Sequence, residues 1–428
     1  MTSTISLESI SYRDLYARWE RGNWRSTEFD FSEDARQWRE DFSDVERRAA
    51  LWNYAMFLHG EDSVADNLSP FIDAAPRVEQ KYFLATQQAD EARHSVFFGR
   101  FMREVLGCGE SYAGALEATR PELTWGFQRT FELLDEMAEQ LRRDRSKPQL
   151  AAAITLYHLV IEANLAQPGQ HFITRSLDRR GLLPGFQAGM ANVTVDEQRH
   201  IAFGVKLLAE LIAESEECRA ASLELLREAL PVAVAVFVPP DWDERYTECF
   251  GFTLEEIYTE GTRSLWTKLR TVGHSERDIA SVTRSDPALP YEQRARRALM
   301  LLRADVLGER RGSPAPEPPV LEAFFEGMRF AVDETQCPPH RVTIQWDLVN
   351  AEPWFLRIDN GATCVERGRA ASPDVIFRCR FEDLVDIATG REDPRRALLR
   401  RKLRPKGSLR ALWQVQKLLP APRITGSA

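Results

Sequence analysis

Hydrophobic residues recur at helical spacing through most of the chain up to about residue 273. Four stretches repeat apolar residues every three or four positions for long enough to form long helices with one buried face. They are residues 46–71, 78–107, 150–177 and 186–215. A further helical pattern covers residues 119–147. The pattern predicts a mainly α fold with a four-helix-bundle core and extra helices.

The pattern changes after residue 308. Residues 309–319 are rich in proline and lack periodicity, which predicts a linker. Beyond them, HRVTIQWDL and PWFLRIDNGATCVERG alternate as strands do, and the DNG at 359–361 suits a hairpin turn. FEDLVDIATG and SLRALWQVQKLL return to helical spacing. We therefore predict a helical domain at 1–308 and a small α+β domain at 320–428.

Composition narrows the possible functions. The 428 residues carry a net charge of −9 with a pI near 5.5, which excludes a whole-chain nucleic-acid binder because contact with phosphates requires excess Lys and Arg. The amino-terminal residues lack the basic and apolar segments of a secretory signal, and no stretch approaches the roughly 18 apolar residues of a membrane span. The six cysteines are scattered without CxxC spacing. We expect a reduced, cytoplasmic protein.

Two five-residue stretches are nearly identical: DEARH at 90–94 and DEQRH at 196–200. Each places Glu and His three positions apart, at Glu91 and His94 and at Glu197 and His200. Three positions on a helix bring side chains to within about 60° of each other, so each pair can face one metal ion.

Two lone glutamates, Glu61 and Glu162, lie in apolar helical stretches. One Glu-x-x-His motif alone is common on solvated surfaces, and a lone Glu in an apolar stretch is often salt-bridged at its edge. The two motifs and the two lone glutamates, taken in chain order, however, match the ligand pattern of ferritin-like di-iron and di-manganese carboxylate bundles. Four buried carboxylates would be prohibitive without cations, whereas two divalent metals nearly cancel their charge. We therefore predict the metal ligands Glu61, Glu91, His94, Glu162, Glu197 and His200.

Three more residues are expected to support these ligands. Because a ligand histidine usually donates its second ring N–H to a carboxylate from another element, we expect Asp90 and Asp196 each to hold the histidine of the opposite motif. The alternative is ordinary salt bridging to Arg93 and Arg199. His158, four residues before Glu162, is expected to support the site rather than to bind metal. Oxygen and imidazole ligands favour iron or manganese over structural zinc, so we expect a pair of such metal ions that activates dioxygen.

Residues 30–275 resemble the ribonucleotide-reductase small-subunit-like ligand-binding oxidases, through stretches such as GEDSVADNLSPF, ADEARHSVFF, YHLVIEANLA and DEQRHIAFG. The resemblance implies a manganese/iron or di-iron centre beside a tunnel that holds a fatty acid. It also implies an ether cross-link formed by oxygen activation, here between Val64 and Tyr157. One departure is Pro168 with Gly169 inside the third ligand helix, where proline is expected to kink the helix.

Other dimetal proteins match less well. Arylamine N-oxygenases add a ligand histidine at the position of Val193, and reductase small subunits need a radical tyrosine, for which Tyr82 is poorly spaced. We predict an enzyme, an O₂-activating oxidase or oxygenase that oxidises a C–H bond of an apolar or acyl-type substrate. Two alternatives stay open: a lipid-binding metalloprotein that only cross-links itself, and an N-oxygenase or other oxygenase of small-molecule biosynthesis.

Residues 320–420 resemble the sterol-carrier-protein lipid-binding fold, which implies binding of fatty acids, acyl thioesters or sterols. The segment 391–410 is locally basic, which fits a solvated face, an anionic membrane surface or an acyl-carrier protein. The expected partners are therefore an apolar or fatty-acyl molecule, an electron donor and a second copy of the chain in a homodimer.

Overall fold

The computed structural model describes residues 10–420, which form two compact units. The first unit extends to Leu225 and includes Val236–His274; the second contains Leu226–Ala235 and continues from Ser275. Residues 275–308 thus pack with the second unit, whereas the sequence assigned them to the helical domain. Within the predicted linker, residues 309–317 form neither helix nor strand, and Arg310 pairs with Asp386 of the same unit.

The described part of the first unit contains helices and no strands. Its α-helices are α1 Tyr12–Arg21, α2 Ser32–Glu40, α3 Asp44–Asn67, α4 Ser69–Ala74, α5 Val78–Glu104, α6 Tyr112–Thr119, α7 Trp125–Arg143, α8 Lys147–Ile154, α9 Gln167–Arg180, α10 Pro184–Glu214, α11 Glu216–Ala233, α12 Arg245–Glu248 and α13 Leu254–Thr271. Helix α11 begins in the first unit and ends in the second. The predicted long helices are confirmed as α3, α5, α10 and the continuous helix that contains α8 and α9.

That third core helix runs from Lys147 to Arg180 and contains a π-helical segment at Thr155–Ala166. The helix continues through Pro168, which lies at the first turn of α9 just after the π segment. By length and composition it could cross a membrane, but 83% of its most apolar window is buried, as in the core helix of a globular unit.

Glycines let α10 approach its neighbours closely on both sides of the second motif. A Cβ at Gly189 would lie 2.1 Å from the ring of Phe97 on α5. A Cβ at Gly204 would lie 2.2 Å from His158 in the π segment. The small residues therefore set the spacing of three of the four core helices.

Aromatic side chains fill the core at one end of the bundle. Phe101 and Phe186 have ring centroids 4.3 Å apart, and Tyr54 packs 4.9 Å from Phe186. All three are at most 1% exposed. Burying side chains of this size contributes about 1.5–3 kcal/mol each, so this cluster fixes α3, α5 and α10 together.

The second unit combines helices with a five-stranded sheet in the order β3-β2-β1-β4-β5. Its remaining helices are α14 Glu276–Thr283, α15 Tyr291–Arg303, α16 Pro318–Phe330, α17 Phe381–Ala388, α18 Pro394–Leu399 and α19 Leu409–Leu418. Its strands are β1 Val342–Leu348, β2 Trp354–Asp359, β3 Ala362–Arg367, β4 Val375–Cys379 and β5 Arg404–Gly407. The first three strands are antiparallel neighbours, β4 runs parallel to β1, and β5 is antiparallel to β4.

The predicted hairpin is confirmed between β2 and β3. Asn360 and Gly361 both have positive φ, 49° and 83°, as a two-residue turn of type I′ requires. Helix α16 covers the sheet, and its Phe325 stacks on Trp354 with ring centroids 5.0 Å apart. The unit is therefore the α+β fold expected from the alternating pattern.

Candidate metal centre

The four core helices bring the six predicted ligands together. Glu61 lies on α3, Glu91 and His94 on α5, Glu162 in the π segment, and Glu197 and His200 on α10. They form two groups whose ligand atoms lie within 4.8 Å of one another: Glu61, Glu91, His94 and Glu197, and Glu91, Glu162 and His200. Since both groups contain Glu91, the arrangement offers two adjacent metal positions joined by one carboxylate.

The donor atoms suit hard or borderline divalent metals. All six residues are at most 7% exposed, and the two histidines are fully buried. Buried polar atoms normally have hydrogen-bond partners, yet Glu162 Oε2 has none. An unpartnered carboxylate oxygen in a buried cluster of four glutamates and two imidazoles fits a pair of metal ions.

Without cations, the cluster holds protons at neutral pH. Burial raises the pKa of Glu61 and Glu162 well above the usual range. Burial, together with the charge of Glu91, raises the pKa of Glu197 to about 7. Burial also disfavours the ionised form of Glu91, but the neighbouring histidines hold its pKa well below its usual range. Burial lowers the pKa of both histidines, but the carboxylates around them outweigh it and raise the pKa overall.

Each histidine turns one ring nitrogen to the glutamates and the other to an aspartate of the opposite motif. His94 Nδ1 lies 3.2 Å from Glu61 Oε2, and its Nε2 lies 3.1 Å from Asp196 Oδ2. His200 Nδ1 lies 3.1 Å from Glu91 Oε1, and its Nε2 lies 3.1 Å from Asp90 Oδ2. The aspartates therefore set each imidazole with Nε2 as donor and leave Nδ1 for a metal.

The arginines of the two motifs lie between these aspartates. Arg199 donates to Asp90 at 2.9 Å and to Asp196 at 2.6 Å, while Arg93 contacts Asp90 and lies 3.3 Å from Asp196. Each aspartate therefore contacts the histidine of the opposite motif and also pairs with the arginines, so the two roles predicted as alternatives occur together. Although burial favours the neutral form of Asp196, His94 and Arg199 hold its pKa well below the usual range.

Two tryptophans complete this network. Trp19 Nε1 donates to Asp90 at 2.9 Å, and Trp24 Nε1 donates to Asp196 at 2.8 Å. Trp24 also stacks on His94 with ring centroids 6.0 Å apart. Sequence reasoning missed both residues, since they lie outside the core helices at no fixed spacing from the motifs.

Gln87 is a further polar residue that sequence reasoning missed. Its side-chain nitrogen lies 2.7 Å from Glu162 Oε1 and 3.0 Å from the Tyr157 hydroxyl, and its oxygen lies 3.2 Å from His158 Nε2. Burial lowers the pKa of His158 to about 3, which keeps the ring neutral. Gln87 lies four residues before Glu91 on α5, and this helical spacing was the signal that could have found it.

Tyr157 and Val64 both line a cavity beside the glutamates. The Tyr157 hydroxyl donates to Glu91 Oε1 at 2.8 Å, and burial raises the pKa of this phenol well above its usual range. The cavity opens to solvent, and its empty volume together with that opening is about 640 Å³. Its apolar wall includes Met56, Phe57, Phe127, Phe131, Ile161 and Phe237. A mostly apolar chamber with carboxylates at one side is typical of a small-molecule site.

A helical bundle with two Glu-x-x-His motifs and two lone glutamates facing one buried centre defines the class of ferritin-like dimetal carboxylate proteins. Comparison with known sequences is more specific. Residues 5–236, more than half of the chain, match the family described as ribonucleotide reductase, small chain. The chain belongs to this family. Residues 334–420 match the SCP-2 sterol transfer family.

Solved structures similar to this chain include R2-like ligand-binding oxidases. One is a variant with an aerobically reconstituted Mn/Fe cofactor, at 22% identity and a TM-score of 0.54, with 62% of this chain and 95% of that chain covered. Another is the oxidase from Sulfolobus acidocaldarius, at 23% identity and a TM-score of 0.53, with 68% of this chain and 99% of that chain covered. At this identity the similarity is one of fold.

Proposed function

We propose that this protein is an O₂-activating dimetal oxidase that oxidises an apolar or acyl-type molecule at a C–H bond. The observation that carries the proposal is the pair of buried ligand groups that share Glu91 and border an apolar cavity. Neither feature alone requires oxidation, but a redox-active metal pair held by these ligands would supply oxidising chemistry next to the apolar cavity that the substrate would occupy.

The cofactor we propose is an Fe/Fe or Mn/Fe pair, since the six ligands suit either combination. When bound, such a pair supplies electrons to dioxygen in twos, which is chemistry that side chains lack. The protein's own residues orient the site: Asp90 and Asp196 fix the imidazoles, and the arginines balance the aspartate charge.

The cavity would hold the substrate with its polar end near the glutamates. From Glu61 to Asn53, both of which line it, helix α3 rises about 12 Å, a length that accommodates an extended hydrocarbon chain. The phenylalanines of the wall exclude water, which protects an oxidising centre from side reactions. A fatty acid or fatty-acyl compound fits this shape and polarity.

We also propose the Val64–Tyr157 ether cross-link. Its formation would join the valine Cβ to the phenol oxygen, with the loss of two hydrogen atoms and the transfer of two electrons to dioxygen. The raised pKa keeps the phenol protonated, and its hydrogen bond to Glu91 Oε1 provides an acceptor for that proton. The shared cavity supports the pairing of these two residues.

For the second unit we propose lipid binding, supported by the match to the sterol transfer family and by its sheet-and-helix fold. It would supply or shield the apolar substrate. A cytoplasmic location and a homodimer also remain proposals; six free cysteines support the reducing location.

The experiment loads the full-length protein with iron, or with manganese and iron, and compares aerobic with anaerobic incubation in the presence of a long-chain fatty acid and a chemical reductant, which supplies the two further electrons that each turnover with dioxygen consumes. Oxidised product that accumulates over many turnovers only with dioxygen supports the enzyme. The Glu162→Ala variant serves as the control because it removes a ligand of one metal position. No product from any fatty acid or acyl thioester, despite full metal loading, would contradict the proposal.

One other function is favoured by a specific observation, the hydrogen bond that ties Tyr157 to Glu91 in the cavity that Val64 lines. In this alternative, the protein is a lipid-binding metalloprotein whose only reaction is the formation of its own Val64–Tyr157 cross-link. Intact mass would then fall by two hydrogens once, with no further product, and Tyr157→Phe would abolish the change. An N-oxygenase is less well supported, because Val193 is fully buried in the aromatic core rather than a ligand.

A further inference from the structure

Exposed apolar side chains concentrate near the end of the second unit. Among the described residues, nine large hydrophobic side chains are exposed, and four of them lie within the sixteen residues from Leu398 to Trp413. Leu399 and Leu409 are each 86% exposed, and Trp413 is 61% exposed. Clustered exposed Leu and Trp side chains mark an interaction surface, whereas isolated ones do not.

The longer segment from Arg395 to Lys417, which contains these four side chains, is strongly basic. Six of its basic side chains are exposed and, within residues 10–420, have no carboxylate at ion-pair distance: Arg395, Arg396, Arg401, Arg404, Lys406 and Arg410. By contrast, Arg400 and Lys402 pair with Glu392. In a chain of net charge −9, this is a local reversal of sign, and the unpaired charges remain available to an anionic partner.

The backbone arranges these residues on outward faces. On α19, Val415 and Leu418 are buried, while Leu409 and Trp413 lie four positions apart on the exposed side. Lys417 continues that side, with its Nζ 3.7 Å from the centre of the Trp413 ring. The helix therefore has a second apolar face in addition to the one that packs on the sheet.

The edge strand β5 contributes charge. All four of its residues are exposed, and Arg404 and Lys406 are two positions apart, so they project to the same side of the sheet. The strand connects directly to α19 through Gly407 and Ser408. Leu398 and Leu399 end the helix just before it.

We propose that the segment from Arg395 to Lys417 is a docking surface for an anionic lipid membrane. Leu and Trp side chains insert at the boundary between headgroups and acyl chains, and Lys and Arg bind anionic headgroups beside them. An acidic protein would share the charge preference. Side chains that are 86% exposed, however, project outward and suit insertion into a lipid surface. The proposal concerns the second unit and goes beyond the oxidase proposed above.

The test measures binding of the full-length protein to vesicles. The protein should cosediment with vesicles of phosphatidylcholine mixed with phosphatidylglycerol, bind neutral phosphatidylcholine vesicles far more weakly, and dissociate as salt rises. Replacing Leu409→Ser together with Trp413→Ser should reduce the partition coefficient on the order of tenfold. Replacing Arg404→Ala together with Lys406→Ala should reduce it by about 25-fold, since each basic residue near an anionic surface is worth about fivefold.

Val349→Ser is the matched control. Val349 is 56% exposed in the same unit but outside the segment, and its replacement should leave binding unchanged. Circular dichroism checks that each variant is folded. The proposal is overturned by equal binding to neutral and anionic vesicles, by undiminished binding of the Leu409/Trp413 variant, or by absence of vesicle binding. It is also overturned if the segment instead binds an acidic carrier protein and no vesicles.

Discussion

Asp90 and Asp196 each perform two tasks that the sequence motif shows only in part. Each accepts from the histidine of the opposite helix and from an arginine, and each receives an indole N–H. Two carboxylates and two guanidinium groups balance in charge, so the histidines are held without adding net charge to the metal centre. The repeat of Arg in both motifs follows from this symmetry.

Asp196→Asn should weaken metal retention. An amide at this position loses the charge-assisted contacts to His94 and Arg199 and no longer fixes the imidazole, and comparable supporting residues are worth about 10–100-fold in metal affinity. Competition with a metal-binding dye would measure the loss. Asp62→Asn is the matched control. Asp62 follows Glu61 in the chain, but it accepts a hydrogen bond from the Tyr112 hydroxyl and not from a ligand histidine. Equal affinities for the Asp196→Asn variant and the wild type would rule out the supporting role.

Metal affinity should rise with pH. Without metal, burial raises the pKa of Glu197 to about 7, and the pKa values of Glu61, Glu162 and both histidines are also raised. These groups hold protons that metal ions must displace, so affinity falls as pH drops below about 7 and binding releases protons. Titration calorimetry in buffers of different ionisation enthalpy counts those protons. Metal binding that releases no protons between about pH 6 and 8 would contradict the raised pKa values of the ligands.

At the level of elements, the π-helical segment was not predictable from the repeat of apolar residues. Eight of the twelve residues 155–166 are apolar, and such a stretch fits α and π geometry equally well. The wider turn is a common feature of functional sites, and here it precedes Pro168. The helix continues through that proline to Arg180, so Pro168 does not end it.

Gly204→Ala should perturb the metal centre through helix packing. The added Cβ would lie 2.2–2.6 Å from His158, so α10 and the π segment must separate, at a cost of about 1–3 kcal/mol. We expect lower thermal stability and reduced metal content. Gly261→Ala on α13 is the control, since its Cβ would meet nothing within 4 Å and alanine favours helix. If both variants behave alike, close packing at Gly204 is not what positions the site.

The long helices, the hairpin and the grouping of the six ligand residues were predictable, because apolar periodicity and Glu-x-x-His spacing are local signals. Trp19, Trp24 and Gln87 were not identified, since their roles depend on contacts between elements. The sequence placed residues 275–308 in the helical domain, because their helical pattern does not reveal that they pack with the second unit.

At the scale of the whole molecule, the two units carry different chemistry. The first buries the ligand cluster and the apolar cavity, while the second carries the sheet and the exposed basic, apolar segment. Under the proposed function, the first unit would oxidise an apolar substrate that the second unit binds.

Metal removal should destabilise the first unit selectively. Metals bound at about 100 times their dissociation constant stabilise the folded state by about 2.7 kcal/mol, which raises the melting temperature of a unit this size by roughly 5–10 °C. Scanning calorimetry of the full chain with and without metal should therefore show a higher melting temperature for one unfolding transition, that of the first unit. If metal shifts every transition equally, the stabilisation does not reside in the helical bundle.

The central claim is tested most directly by diffraction from metal-loaded crystals at the iron and manganese absorption edges. The account predicts two anomalous peaks per chain, one between Glu61, His94 and Glu197 and the other between Glu162 and His200, with Glu91 between them. A single peak, or peaks bound by other residues, would contradict it.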